Sequence, residues 1–146
     1  MKIVSGNILD IPCDAICITT NMNIKKNKRA VMGAGIARLF SLKVPNLDLI
    51  MAKSLIQYGH VCRILTKYNN INLISFPTKY DWYNKSDKDL IRKSALELME
   101  IVSNNNFKRV LLPKPGCSNG GLNWDDISPM LNDILDDRIH IIERWL

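Results

Sequence analysis

Two glycine loops, far apart in the chain, constrain the fold more than any other feature. The first is Val31-Met32-Gly33-Ala34-Gly35-Ile36-Ala37. The second is Pro115-Gly116-Cys117-Ser118-Asn119-Gly120-Gly121-Leu122-Asn123-Trp124. Each lies between an apolar, strand-like run and a helix-like run. A loop so placed presents consecutive backbone N–H groups at a helix start, where the helix dipole favours an anion. Two such loops on one small domain can hold a pyrophosphate from two sides. The chain is therefore expected to bind a dinucleotide-like ligand.

The segments around these loops alternate. A short first strand ends near Val4. Ala15-Ile16-Cys17-Ile18-Thr19-Thr20 is a continuous apolar, β-branched run, the pattern of a buried parallel strand. The first glycine loop opens a short helix over 36–42, which Pro45 closes. A second helix is predicted over 47–58, with apolar residues at 47, 50, 51, 55 and 58 and Gly59 as its C-cap. Strands are predicted over 61–68 and 71–76, joined by a tight turn at Asn69-Asn70. The clearest helix runs over 87–102, capped by Ser86, with Leu90, Ile91, Ala95, Leu98 and Val102 buried. A strand over 109–112 ends at Pro113. A helix over 124–135 turns Leu131, Ile134 and Leu135 inward, and a last strand covers 139–145. This order predicts a three-layer α/β/α fold with a mostly parallel central sheet, spanning 1–146 as one domain. Ligands in such sheets sit beyond the carboxyl ends of the strands, where both glycine loops fall.

Composition narrows the function classes. The chain has 146 residues, enough for a substantial core, and its 47% hydrophobic and 23% charged residues are ordinary for a globular domain. No apolar run approaches the ~18 residues a membrane span needs, and Met1-Lys2-Ile3-Val4 leads at once into polar sequence. A cytoplasmic, monomeric protein with no membrane partner is expected. Cys13, Cys17, Cys62 and Cys117 form no metal-binding spacing, and only His60 and His140 accompany them, so neither metal nor cofactor is expected. Cys117 has no histidine near it in sequence and reads as a loop-packing residue. The net charge of +6 suits a phosphate-rich ligand, a nucleic-acid substrate or simple solubility.

The first loop alone is weakly specific. No Gly-Lys-Ser/Thr follows it, as a Walker loop requires, and Arg38 stands where the third glycine of a dinucleotide fingerprint belongs. The ordered set of motifs is far more specific. Gly6-Asn7-Ile8-Leu9 comes first, then Asp14 to Asn21, then Met32 to Ala37, and finally Leu112-Pro113-Lys114-Pro115-Gly116-Cys117 with Gly120-Gly121-Leu122-Asn123-Trp124. This set resembles the macro domain family of ADP-ribose-binding modules, over almost the whole chain. Ile74-Ser75-Phe76-Pro77-Thr78-Lys79-Tyr80-Asp81-Trp82 resembles one branch in particular. That branch holds the terminal ADP-ribose protein glycohydrolases and the antitoxin macro domains that remove ADP-ribose from DNA bases.

The resemblance implies roles for particular residues. Asn7 and Ile8 would line the adenine pocket, with Asn7 in place of a common aspartate. Asn21, beside Thr20, would hydrogen-bond the distal ribose and stands with Lys79 as a candidate catalytic residue. Met32, Gly33, Ala34, Gly35 and Ile36 would wrap the pyrophosphate. Pro115, Gly116, Cys117, Ser118, Asn119, Gly120, Gly121 and Leu122 would close the other side. The protein glycohydrolases carry an aspartate where this chain has Gly120, which weakens the protein reading, while the antitoxin type also has glycine there, so the DNA-base reading stands. Lys79 could attack the anomeric carbon of the distal ribose and form a Schiff base, or as an ammonium it could stabilise the leaving group or orient water. Asp81 would be its partner or a solvated turn residue. Tyr80 and Trp82 would stack on a base or pack at the rim.

The stretch between Asn21 and Met32 is longer than usual in the family. It carries Lys25, Lys26, Lys28 and Arg29, either as a solvated loop or as a basic lip for a phosphate or a nucleic-acid strand. Three functions are thus open: release of ADP-ribose from an ADP-ribosylated macromolecule, nucleic acid or protein; a phosphatase acting on ADP-ribose 1″-phosphate; and a reader of ADP-ribose or a related NAD derivative without turnover.

Overall fold

A computed structural model describes residues 1–117 and 119–143. Among them are six strands and four helices: β1 (Lys2–Val4), β2 (Ala15–Thr20), α1 (Gly35–Lys43), α2 (Leu47–Tyr58), β3 (Arg63–Tyr68), β4 (Ile71–Pro77), α3 (Lys88–Asn104), β5 (Val110–Pro113), α4 (Trp124–Ile134) and β6 (Ile139–Ile142). The strands form one sheet in the order β1-β6-β5-β2-β4-β3. Every pairing is parallel except β3 on β4. This is the expected three-layer α/β/α arrangement around a mostly parallel mixed sheet.

Side-chain alternation along the strands divides the core in two. Ile16 and Ile18 of β2, Leu73 of β4 and Leu111 of β5 pack with Ile36, Phe40, Leu47 and Met51 of α1 and α2. Ala15 and Cys17 of β2, Ile74 and Phe76 of β4 and Val110 and Leu112 of β5 pack with Ile91, Ala95, Leu98, Ile127 and Leu131 of α3 and α4. β2 is buried on both faces and lies between β4 and β5. Its C-terminal end is therefore the middle of the rim where the loops gather.

The hairpin between β3 and β4 turns at Asn69 and Asn70, both at positive φ (47° and 66°). Asparagine tolerates this conformation, and two such residues in succession match the twist of the flanking strands. Five expectations need correction. The N-cap of α3 is Asp87, whose carboxylate accepts the Leu90 N–H at 3.0 Å, not Ser86. β3 starts at Arg63 rather than residue 61. Tyr58 keeps the helical spacing of α2 but is exposed, with the Arg63 guanidinium 3.3 Å from its ring centre. Ile134 is only partly buried, and β6 ends at Ile142. Residues 144 and 145 of the predicted last strand lie outside the described residues.

Phe40 is fully buried and meets Tyr68 edge-on at 5.8 Å. It anchors the helix that begins in the first glycine loop. Phe40→Ala is expected to destabilise the fold by about 3–5 kcal/mol, read as a lower urea midpoint at unchanged slope.

Candidate functional site

Loops from the carboxyl ends of the central strands surround a cleft of about 630 Å³, a size suited to an organic ligand. Thr20 and Asn21 follow β2 into it, Thr78 and Lys79 follow β4, and Pro113 and Lys114 end β5. The first glycine loop contributes residues 31–37, and the second contributes Gly116, Cys117, Asn119 and Gly120. The two loops face each other closely. A Cβ built on Gly35 would lie 3.5 Å from Asn119 Nδ2.

The first loop leaves its helix uncapped. Ala34 makes no side-chain cap bond, and the first turn of α1 carries no acidic residue. α3 and α4 are capped instead by the side chains of Asp87 and Asn123. The free amides at the start of α1 thus open onto the cleft with the positive end of the helix dipole behind them. Gly35 has φ +59°, a left-handed conformation that favours glycine and lets the backbone turn sharply into the helix.

The second loop depends on close approach. A Cβ at Gly120 would collide with Ser86 Oγ and lie 2.6 Å from the Gly116 carbonyl oxygen. The aspartate that the protein glycohydrolases carry here has no room. Ser86 is buried beneath this loop at the cleft wall, and its N–H donates to the Gly120 carbonyl at 2.9 Å. Its hydroxyl has no hydrogen-bond partner among the described residues. Cys117 Sγ points to the Pro115 carbonyl at 3.4 Å, and burial raises the pKa of its thiol. Both features fit the packing role expected of it rather than a thiolate nucleophile.

Lys79 is held from several sides. Thr78 is buried, and both its N–H and its hydroxyl donate to the Thr20 carbonyl, at 2.9 and 3.4 Å. That stitches the loop after β4 to the end of β2. Lys79 Nζ donates to the carbonyls of Trp82 (3.2 Å) and Asn119 (3.4 Å), linking the 79–84 segment to the second glycine loop. Asn23 clamps the same segment from below. Its Oδ1 accepts the Trp82 N–H at 2.6 Å, and its Nδ2 donates to Asp81 at 3.2 Å. Asn21 sits at the cleft wall, with its Oδ1 accepting the Asn23 N–H at 2.9 Å.

The structure therefore brings together Thr20, Asn21, Met32, Gly33, Ala34, Gly35, Ile36, Lys79, Gly116, Cys117, Asn119 and Gly120. Pro115, Gly121 and Leu122 belong to the second loop without lining the cleft, and Leu122 packs toward the α3–α4 core. Ser118 lies outside the described residues. Asn7 and Ile8 do not line the cleft either. Ile8 is fully buried in the α1–α2 core, and Asn7 is exposed with its Oδ1 accepting the Leu9 N–H at 2.9 Å. Sequence reasoning missed Ser86, Asn23 and the Lys114–Glu143 ion pair (3.1 Å) at the far wall. The only signal for that pair was its place just past two parallel strands. Among the described residues, no three His, Cys, Asp or Glu side chains are grouped to hold a metal ion.

An α/β/α sheet with an uncapped helix and a facing glycine loop at one rim is an arrangement that could hold a phosphate-bearing ligand. Comparison with known proteins makes the class specific. No protein-family model matches the chain. A DNA ADP-ribosyl glycohydrolase of Thermus aquaticus is 24% identical over 156 residues, covering 100% of this chain and 40% of that protein. One from Mycobacterium tuberculosis is 28% identical over 133 residues, covering 87% of this chain and 36% of that protein. The chain thus spans about two fifths of the length of these curated relatives. Among solved structures, the macrodomain of Mycobacterium tuberculosis DarG superposes with a TM-score of 0.79 at 25% identity, over 97% of this chain and 95% of that one. Thermosipho africanus DarTG in complex with ADP-ribose superposes with a TM-score of 0.80 at 19% identity, over 97% of this chain and 41% of that one. The chain has the macro domain fold, and it is similar in sequence to DNA ADP-ribosyl glycohydrolases and in structure to DarG macrodomains.

Two substitutions test the site's construction. Gly120→Ala is expected to cost about 1–3 kcal/mol as an overpacked position and to distort the second loop. Adding Ser86→Ala should not restore it, because the contact with the Gly116 carbonyl remains; thermal melts of the single and double variants check this. Asn23→Asp sets a carboxylate against Asp81 and should lower the melting temperature. Adding Asp81→Asn re-creates the acceptor–donor pair in reverse and should recover it.

Proposed function

We propose that this domain binds ADP-ribose and releases it from ADP-ribosylated DNA, acting as an ADP-ribosyl glycohydrolase. The observation that carries the reading is Lys79 Nζ, held at the cleft between the end of β4 and the second glycine loop. The names of the curated relatives support the reaction and the substrate. The crowding at Gly120 supports a DNA base over a protein side chain as the group released.

In this reading the diphosphate sits between the amides at the start of α1 and those of the second loop, where its charge meets N–H donors from both sides. Asn21 holds the distal ribose, and the exposed Asn7, just past β1, meets the adenine outside the cleft lining, with Ile8 buried in the core behind it. The anomeric carbon then lies near Lys79. As a free amine, Nζ adds to that carbon and the bond to the base breaks, the base taking a proton from the nitrogen; the ring C–O bond of the resulting glycosylamine then opens, the remaining N–H proton passing to the ring oxygen, to leave a lysine imine. Water next hydrolyses the lysine imine, giving ADP-ribose and the regenerated amine. A second course is favoured by the two carbonyls that Nζ now contacts, because they suit an ammonium. Lys79 would then donate to the departing base while water attacks. The domain's four free cysteines fit the reducing cytoplasm. Among the described residues, no helix is long and apolar enough to cross a membrane.

Lys79→Ala is expected to reduce release of ADP-ribose from modified DNA by at least about a hundredfold, while calorimetric affinity for ADP-ribose stays within a few-fold. Borohydride added during turnover traps a Lys79 adduct if the amine is the nucleophile, and traps none if it acts as proton donor. Phosphate release from ADP-ribose 1″-phosphate, measured in parallel, should be slower than release from DNA. Wild-type-like turnover in Lys79→Ala would remove the residue from the mechanism.

A further inference from the structure

The long segment between β2 and the first glycine loop is built around a projecting turn. Ile24 bridges Ala30 in antiparallel fashion, the Lys25 N–H donates to the Arg29 carbonyl at 2.7 Å, and the Lys28 N–H donates to the Lys25 carbonyl at 2.9 Å. Met22 and Ala30 bury the base of the turn, and the Ala30 N–H donates to the Asp48 carbonyl of α2. Arg29 is neutralised by Asp48 at 2.8 Å. Lys25, Lys26 and Lys28 are exposed and make no ion pair among the described residues.

Beside this turn lies an aromatic edge. Trp82 is 58% exposed and Tyr83 is 68% exposed, their rings edge-on with centres 5.7 Å apart. Folding does not cover either ring. The Asn23 clamp fixes the aromatic segment to the root of the basic turn, so the two move as one surface. The nearby carboxylate, Asp81, is occupied by Asn23 and Asn84. On the other flank, the stem of Lys85 runs over Gly121 of the second glycine loop. Lysines thus border two exposed aromatic rings along the mouth of the cleft that holds Lys79.

We propose that this rim, from Lys25–Lys28 across Trp82 and Tyr83 to Lys85, is a docking track for an unpaired nucleic-acid strand flanking the nucleotide in the cleft. The inference rests on the proposed function and adds the surface that engages the rest of the substrate. Unpaired lysines answer phosphates spaced along a chain, and each contact releases counterions. Exposed aromatic faces answer bases that are not stacked on neighbours, and base–aromatic stacking is tolerant of sequence. A duplex hides those base faces, and an acidic peptide has none to offer.

The test uses the full chain and fluorescence anisotropy with a labelled, unmodified oligodeoxythymidylate, so it needs no turnover. The single strand should bind with an affinity that falls steeply with salt, and more tightly than a duplex of equal length. The Lys25→Gln/Lys26→Gln/Lys28→Gln variant should lose about tenfold at low salt and flatten the slope of log affinity against log salt by about 2, at roughly 0.7 per lost phosphate contact. Tyr83→Ala should lose about fivefold or more. Both variants should keep wild-type calorimetric affinity for ADP-ribose, which shows that the cleft is intact. Duplex binding as tight as the single strand, equal displacement by polyglutamate, or unchanged binding in both variants would overturn the track. Failure of the catalytic reading is separate: it shows as no release of ADP-ribose from modified DNA, whatever the oligonucleotide does.

Discussion

The first turn of α1 has no capping side chain among the described residues, and the arrangement of the cleft follows from that. A helix start exposes N–H groups that must find acceptors, and a capping side chain or an acidic residue is the usual answer. α3 and α4 take that answer through Asp87 and Asn123. α1 begins instead at Ala34-Gly35 with no side-chain cap and no acid in its first turn. The helix nonetheless stays in place, because Ile36, Ala37 and Phe40 are packed into the core beneath it. Burial stabilises a helix whose end is left unsatisfied, and that unsatisfied end faces the second glycine loop across the cleft.

The opposite wall rests on a different kind of economy, the absence of side chains. Gly120 has an ordinary backbone conformation and is required by crowding alone, since Ser86 and the Gly116 carbonyl occupy the space a Cβ would need. The loop can then lie flat against the start of α3, with Ser86 N–H holding the Gly120 carbonyl. One position thus sets both the shape of the loop and the chemistry excluded from it.

What could be read in the sequence was what local pattern determines. The apolar run of β2, the stripe of α3, the Asn69-Asn70 turn and the place of both glycine loops depend on neighbours along the chain, and they stand as expected. The α3 cap was misplaced by one residue because Ser86 and Asp87 are both good cap residues, and only the carboxylate reaches the Leu90 N–H. Tyr58 follows the helical period, but α2 ends there and Arg63 draws the ring outward. The clamp of Asn23 on Asp81 and Trp82 spans more than fifty residues of sequence and leaves no local trace. The Lys114–Glu143 pair is of the same kind. For the site, motif position placed Lys79 and most of both loops at the cleft, while Asn7 and Ile8 fall beyond its lining.

The nearness of Asn119 to Gly35 bears on how quickly the cleft could fill and empty. The amide group of one exposed side chain of the second loop lies close to Gly35 of the first. Rotation of such a side chain takes picoseconds to nanoseconds and needs no main-chain rearrangement. Passage into the cleft would then depend on rotation of one amide, while the hold on a bound group would depend on fixed backbone donors on either side.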